Sequence, residues 1–124
     1  MQGDLAAINV KNGGQIAERI AIARGMFERM RGLLGRPSLR PGEGLLLQPC
    51  NGVHTVGMRY PIDVLFLDRR GRVKRAVHAL NPGRMVPYVR GAAKAIELPA
   101  GTLARAGVRA GDEVWLVSPA ALRQ

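Results

Sequence analysis

The run Ile62-Asp63-Val64-Leu65-Phe66-Leu67, then Asp68-Arg69-Arg70-Gly71, then Arg72 to Leu80, decides the fold class. Its first six residues are apolar at every position but one, too few for a buried helix and well suited to a buried strand. Asp68-Arg69-Arg70-Gly71 follows as a turn, because Asp bonds nearby backbone N–H groups and Gly accepts positive φ. Arg72 to Leu80 returns as the partner strand, so the centre of the chain reads as a β-hairpin.

Outward from the hairpin, turn signals recur at short intervals. Upstream, Leu45-Leu46-Leu47 reads as a short buried strand ended by Pro49, and Arg36 to Gly44 as a surface loop rich in Pro and Gly. Met26, Met30, Leu33 and Leu34 fall at i, i+4, i+7 and i+8, which predicts an amphipathic helix over Arg24 to Leu34, ended by Gly35. Gln15 to Ala23 alternates with period two and reads as a strand. Ala6 to Val10 reads as a shorter one, stopped by Asn12-Gly13-Gly14.

Downstream, Asn81-Pro82-Gly83 breaks the hairpin and opens a loop through Gly91. Ala93 to Leu98 is a strand, Thr102 to Ala106 a single helical turn ended by Gly107, and Glu113 to Val117 a last strand introduced by Gly111-Asp112. The expected fold is therefore α+β and mostly β: a small antiparallel half-open barrel or curved sheet with one covering helix. Residues 1–14 are expected to be an N-terminal tail with a short strand, 15–118 a single globular domain, and 119–124 a C-terminal tail.

The 124 residues suffice for one core without staples, and 47% hydrophobic with 23% charged residues is a globular balance. No apolar run approaches a bilayer span, so no membrane span is expected. The start Met-Gln-Gly-Asp-Leu lacks the basic and apolar regions of a secretory signal. That start suits a cytoplasmic chain as written, and equally an exported protein in mature form.

The net charge of +10 raises nucleic acid as a partner. Against it stand basic residues scattered along the chain, apart from pairs near Arg29 and Arg69, and an aromatic content of only 4%. Nucleic acid is accordingly not the expected partner, which is instead an unidentified small molecule or protein.

Reactive residue types concentrate between Cys50 and Asp68. Cys50, His54 and Met58 stand four apart, a set of thiolate, imidazole and thioether like that of a copper loop. The second His that such a site needs is His78, downstream on the hairpin. With one Cys and two His, neither metal nor other cofactor is expected. Cys50 as nucleophile with His54 as base lacks a following glycine-rich helix N-terminus to hold an oxyanion.

His54 with Asp63 is the more attractive pair, because a carboxylate can orient an imidazole for acid–base work. Asp63 sits among residues apolar on both faces, so it must have a partner: Arg59, His54 or backbone N–H groups. The alternative is that it locks the Met58-Arg59-Tyr60-Pro61 loop. Glu97, also flanked by apolar residues, admits the same two readings, and the two carboxylates could face one groove. The loop Pro82 to Arg90, with Arg84, Tyr88 and Arg90, could hold an anionic or planar ligand.

Several motifs in order resemble one family. Gly32-Leu33-Leu34-Gly35-Arg36 precedes Met58-Arg59-Tyr60-Pro61-Ile62-Asp63-Val64-Leu65-Phe66-Leu67-Asp68. Then come Gly71-Arg72-Val73, Ala95-Ile96-Glu97-Leu98-Pro99-Ala100-Gly101, and Gly107 to Asp112. Over roughly Gln15 to Val117 the chain is similar to the bacterial and archaeal family called domain of unknown function 192. Members commonly read Met-Lys-Asn-Thr at the second motif; this chain has no Thr there, and Thr55 lies upstream instead. The resemblance implies a small β-rich fold and no particular activity.

The expected role is an uncharacterised ligand-binding or accessory module with a groove lined by His54, Thr55, Met58, Arg59 and Asp63. The alternatives are a hydrolase- or lyase-like enzyme using His54 and Asp63 on a small or carbohydrate-like substrate, and a basic nucleic-acid-binding protein.

Overall fold

The computed structural model describes residues 5–23, 32, 33, 35, 36 and 38–123. The described strands are β1 (Leu5–Asn9), β2 (Gly14–Ala23), β3 (Glu43–Leu47), β4 (Val53–His54), β5 (Ile62–Leu67), β6 (Val73–Leu80), β7 (Met85–Val86), β8 (Lys94–Pro99) and β9 (Val114–Val117). Helix α1 (Thr102–Ala106) joins β8 to β9, and a 3-10 helix covers Pro119–Arg123. Seven strands form one sheet in the order β6-β5-β8-β3-β2-β1-β9, while β4 and β7 form a separate ribbon.

The hairpin β5–β6 has the expected register, with Leu65 opposite Ala76 and Phe66 opposite Arg75. β5 is flanked on its other side by β8, so all six of its residues are buried. One expectation needs correction: the sheet is not wholly antiparallel. β2 and β3 run parallel, with Ala21 opposite Leu45. Parallel neighbours need a long crossover, and residues 24–42 supply it. The helix expected over residues 24–34 lies outside the described residues, except for Gly32 and Leu33, which sit in a turn. The strand expected within the N-terminal tail is integral to the sheet, because β1 lies between β2 and β9.

The sheet curls into a half-barrel whose two ends meet at one corner. Arg72 bridges to Glu113, the Val114 N–H donates to the Gly71 carbonyl at 2.8 Å, and the Gly111 N–H donates to that of Val73 at 2.8 Å. Gly71 is required here: a Cβ would lie 2.4 Å from the Val114 carbonyl oxygen, and its φ is +90°.

Strand alternation sorts the core into two clusters. Leu46, Leu65, Leu67, Ile96 and Leu98 pack with Leu103 and Val108 under α1. On the other face Leu45, Leu47, Ile62, Val64 and Phe66 pack with Leu33 and with Val53 and Val86 of the ribbon. Among the described residues no helix is long and apolar enough to cross a membrane.

Candidate functional site

Asp63 is fully buried and shares its face of β5 with Leu65 and Leu67. Its Oδ2 accepts the N–H groups of Leu103 (2.9 Å) and Gly101 (3.1 Å), and its Oδ1 accepts that of Ala79 (2.8 Å). Gly101 begins α1 without any side-chain cap of its own. Asp63 therefore caps the helix from a neighbouring strand and meets the N–H groups that any first turn leaves bare. The third bond holds Ala79, a non-glycine residue at φ 48°, where β6 sets two residues against one of β5 and the register shifts.

Thr55 is also consumed by structure. Its Oγ1 accepts the Arg84 N–H at 2.9 Å and donates to the Asn81 carbonyl at 2.5 Å. Backbone bonds Thr55 N–H to Arg84 carbonyl (2.8 Å) and Gly83 N–H to Thr55 carbonyl (2.9 Å) complete a clasp between the ends of the β4–β7 ribbon. His54 is exposed on β4 opposite Met85. The ribbon packs on the face that carries Ile62, Val64 and Phe66, opposite the one that carries Asp63. The expected His54–Asp63 pair is therefore not formed, for the simple reason that neighbouring positions on a strand point to opposite sides. Alternation separates the carboxylates too: β5 and β8 are adjacent, with Asp63 opposite Leu98 and Glu97 opposite Val64.

Of the expected lining residues, Met58 and Arg59 are brought together. With Leu33, Gly35, Arg36 and Gly57 they line a small cavity of about 210 Å³. Near it lie groups that sequence reasoning singled out only in part. Glu97 is 4% exposed, and its Oε1 has no hydrogen-bond partner; the buried Tyr60 hydroxyl also has none. A Cβ at Gly32 would sit 3.3 Å from that Oε1, so the Gly32–Leu33 turn lies over the oxygen and covers it without bonding it. Arg36 pairs with Glu43 at 3.6 Å.

Burial pushes the Glu97 carboxyl up to about 7. Burial also raises the Tyr60 hydroxyl; Arg36 opposes that rise, and Glu97 and Glu43 add to it. These four groups thus share one electrostatic environment behind the loop Gly57–Tyr60. The signal in the sequence was a Glu in an apolar strand. What it lacked was the face to which Glu97 points and the approach of Tyr60.

The remaining candidates stand elsewhere. The Cys50 thiol donates to the Gly52 carbonyl at 3.0 Å, and His78 is exposed on β6. Among the described residues no group of three or more His, Cys, Asp or Glu is placed to hold a metal ion.

A curled, mostly-β sheet, with a short helix over one face and a buried carboxyl and phenol under the other, defines a small half-barrel domain. The chain belongs to the DUF192 family, described as "Uncharacterized ACR", whose model matches residues 7–116. It is similar to the crystal structure of a protein of unknown function from Novosphingobium aromaticivorans DSM 12444, with a TM-score of 0.78 and 23% identity over 90% of this chain and 83% of that one. It is also similar to a protein described as a "putative transcription regulator" from Sinorhizobium meliloti 1021, with a TM-score of 0.80 and 23% identity over 94% of each chain. At these identities the likeness concerns the fold alone. No curated protein matches the chain.

Proposed function

We propose that this domain is a ligand-binding module whose site is the cavity at Met58 and Arg59, deepened on binding toward the adjacent buried Glu97 and Tyr60 as its polar anchors. The observation that carries the reading is the pair of buried, unpartnered polar atoms, Glu97 Oε1 and Tyr60 Oη. A buried group left without a hydrogen bond costs about 1–3 kcal/mol, so such groups are rarely idle. Asp63 and Thr55, whose bonds are filled within the chain, are scaffold in this reading. The cavity's volume and its guanidinium groups, Arg36 and Arg59, suit a small molecule with one anionic end and a hydroxyl or amine donor for Glu97.

A panel of small hydroxy and amino acids, followed by amide chemical-shift changes, tests this. Binding is expected to shift the amides of Gly57 to Tyr60 and to weaken in Glu97→Gln and in Tyr60→Phe. Ligands that bind both variants as well as the parent would remove these anchors from the site.

A second reading is favoured by one further observation. A carboxyl pushed up to about 7 exchanges its proton near neutral pH, as a general acid or base must. In that reading the enzyme alternative moves from His54 and Asp63 to Glu97. Turnover of a bound ligand that vanishes in Glu97→Gln while binding persists would favour it over binding alone.

A further inference from the structure

Folding gathers cations that the sequence scatters. A large open groove of about 1060 Å³ runs past Arg69, Arg70 and Tyr88, and a second of about 290 Å³ past Arg69, Arg70, Lys94 and Trp115. The two share the tip of the β5–β6 turn, so both Arg side chains serve both grooves. Lys74 adds a fourth cation, because its Nζ lies 3.5 Å from the Cβ position of Gly91, which lines the larger groove. Among the described residues none of these four cations is in an ion pair. The one carboxylate lining these grooves, Asp68, is engaged by its own turn: its Oδ1 accepts the N–H groups of Arg72 and Arg70, both at 2.9 Å, and these bonds, with the charges of Lys74 and Arg72, hold its carboxyl below the usual range.

Aromatic rings stand at both grooves. Tyr88 is 61% exposed and Trp115 is 51% exposed. Strand alternation turns Trp115 outward where Val114 is buried, and the Trp115 Nε1 donates to Glu113 at 2.9 Å, which orients the exposed indole.

We infer that these joined grooves bind single-stranded nucleic acid, with Arg69, Arg70, Lys74 and Lys94 on the phosphates and Tyr88 and Trp115 as stacking platforms. Exposed ring faces beside a basic track are what unpaired bases and their backbone require. A duplex hides its base faces and offers the rings nothing. A mononucleotide would use one ring and leave the other groove empty. The inference is independent of the cavity at Met58 and Arg59, which these residues do not line.

The chain has a single Trp, so stacking on it reads out directly as fluorescence quenching. The probe is an unlabelled oligouridylate or oligothymidylate of about ten residues, titrated across a salt series. Quenching is expected to saturate, with log K falling against log salt at a slope of about −3, from four contacts at about −0.7 each. Arg69→Glu with Arg70→Glu should weaken binding at least about tenfold at low salt and halve that slope. Tyr88→Ala should weaken it roughly tenfold and leave the slope unchanged. All three side chains are exposed, and circular dichroism checks that the variants fold.

No quenching at low salt would overturn the inference, as would undiminished binding in the Arg double variant. Uridine monophosphate quenching at the same concentration as the oligomer would replace the strand by a nucleotide. Equal affinity for duplex without quenching would reduce the surface to unspecific charge. Binding to anionic vesicles with none to the oligomer would assign it to a membrane.

Discussion

Asp63 and Glu97 lie on adjacent strands, both buried, and their fates differ because one is bonded and the other is not. Asp63 meets three backbone N–H groups, so Asp63→Ala strands all three and releases Ala79 from its left-handed conformation. The expected loss is on the order of 3 kcal/mol. His54, exposed on a two-residue strand, should cost less than about 1 kcal/mol as Ala. Denaturant melts of the two variants check the ordering, and equal losses would place His54 in the scaffold. Glu97 behaves in the opposite sense. Folded, it keeps its proton up to about pH 7; unfolded, it loses it near 4.5. Between those values the native state binds the extra proton, so stability falls as pH rises and levels off above about 7. The span corresponds to roughly 3 kcal/mol. Glu97→Gln should flatten that part of the profile, seen as urea midpoints across pH; an unchanged slope would show that burial does not raise this carboxyl.

At the level of elements, the corner where β6 meets β9 depends on one missing side chain. Gly71→Ala would press a methyl group onto the Val114 carbonyl and force a residue with a Cβ to φ +90°. A loss on the order of 2–3 kcal/mol is expected. Hydrogen exchange should show early opening of the Val114 and Gly111 amides, with β3 and β8 still protected; uniform protection would argue that the corner tolerates a Cβ. Most of these elements were legible in the sequence. β5 and the long alternating β2 announce themselves by composition and period, and α1 by a helical turn set before Gly107. β4 and β7 were not legible, since two residues carry no period, and what holds them together is Thr55 reaching Asn81 and Arg84 far along the chain. The parallel β2–β3 pair was equally hidden, because orientation depends on the path of the connection and not on the strands. For the site, the sequence marked Met58, Arg59 and Glu97 as residues of interest. The pairing of His54 with Asp63 failed because spacing along a strand does not say which face of a sheet each side chain takes.

As a whole, the molecule carries +10 with few internal compensations. The ion pairs among its described residues are Lys11–Asp112, Arg19–Glu18 and Arg36–Glu43. Like charges on so small a body repel, and salt shortens their reach to about 10 Å at 0.1 M. Moderate salt should therefore raise the melting temperature, by differential scanning calorimetry, instead of lowering it; a fall would mean that the few pairs outweigh the repulsion. The order of the sheet has a consequence in time as well. β1, the earliest of the described strands in chain order, is hydrogen-bonded to β9, the latest of them, with Ala6 opposite Val117, and β9 also closes the corner against β6. While the ribosome is still short of Val114, one edge of β1 carries bare N–H and C=O groups, the kind of edge that recruits strands from other chains. β9 is thus a latch that closes only after the other strands of the sheet have been made, and a nascent chain halted before it carries an edge open to aggregation.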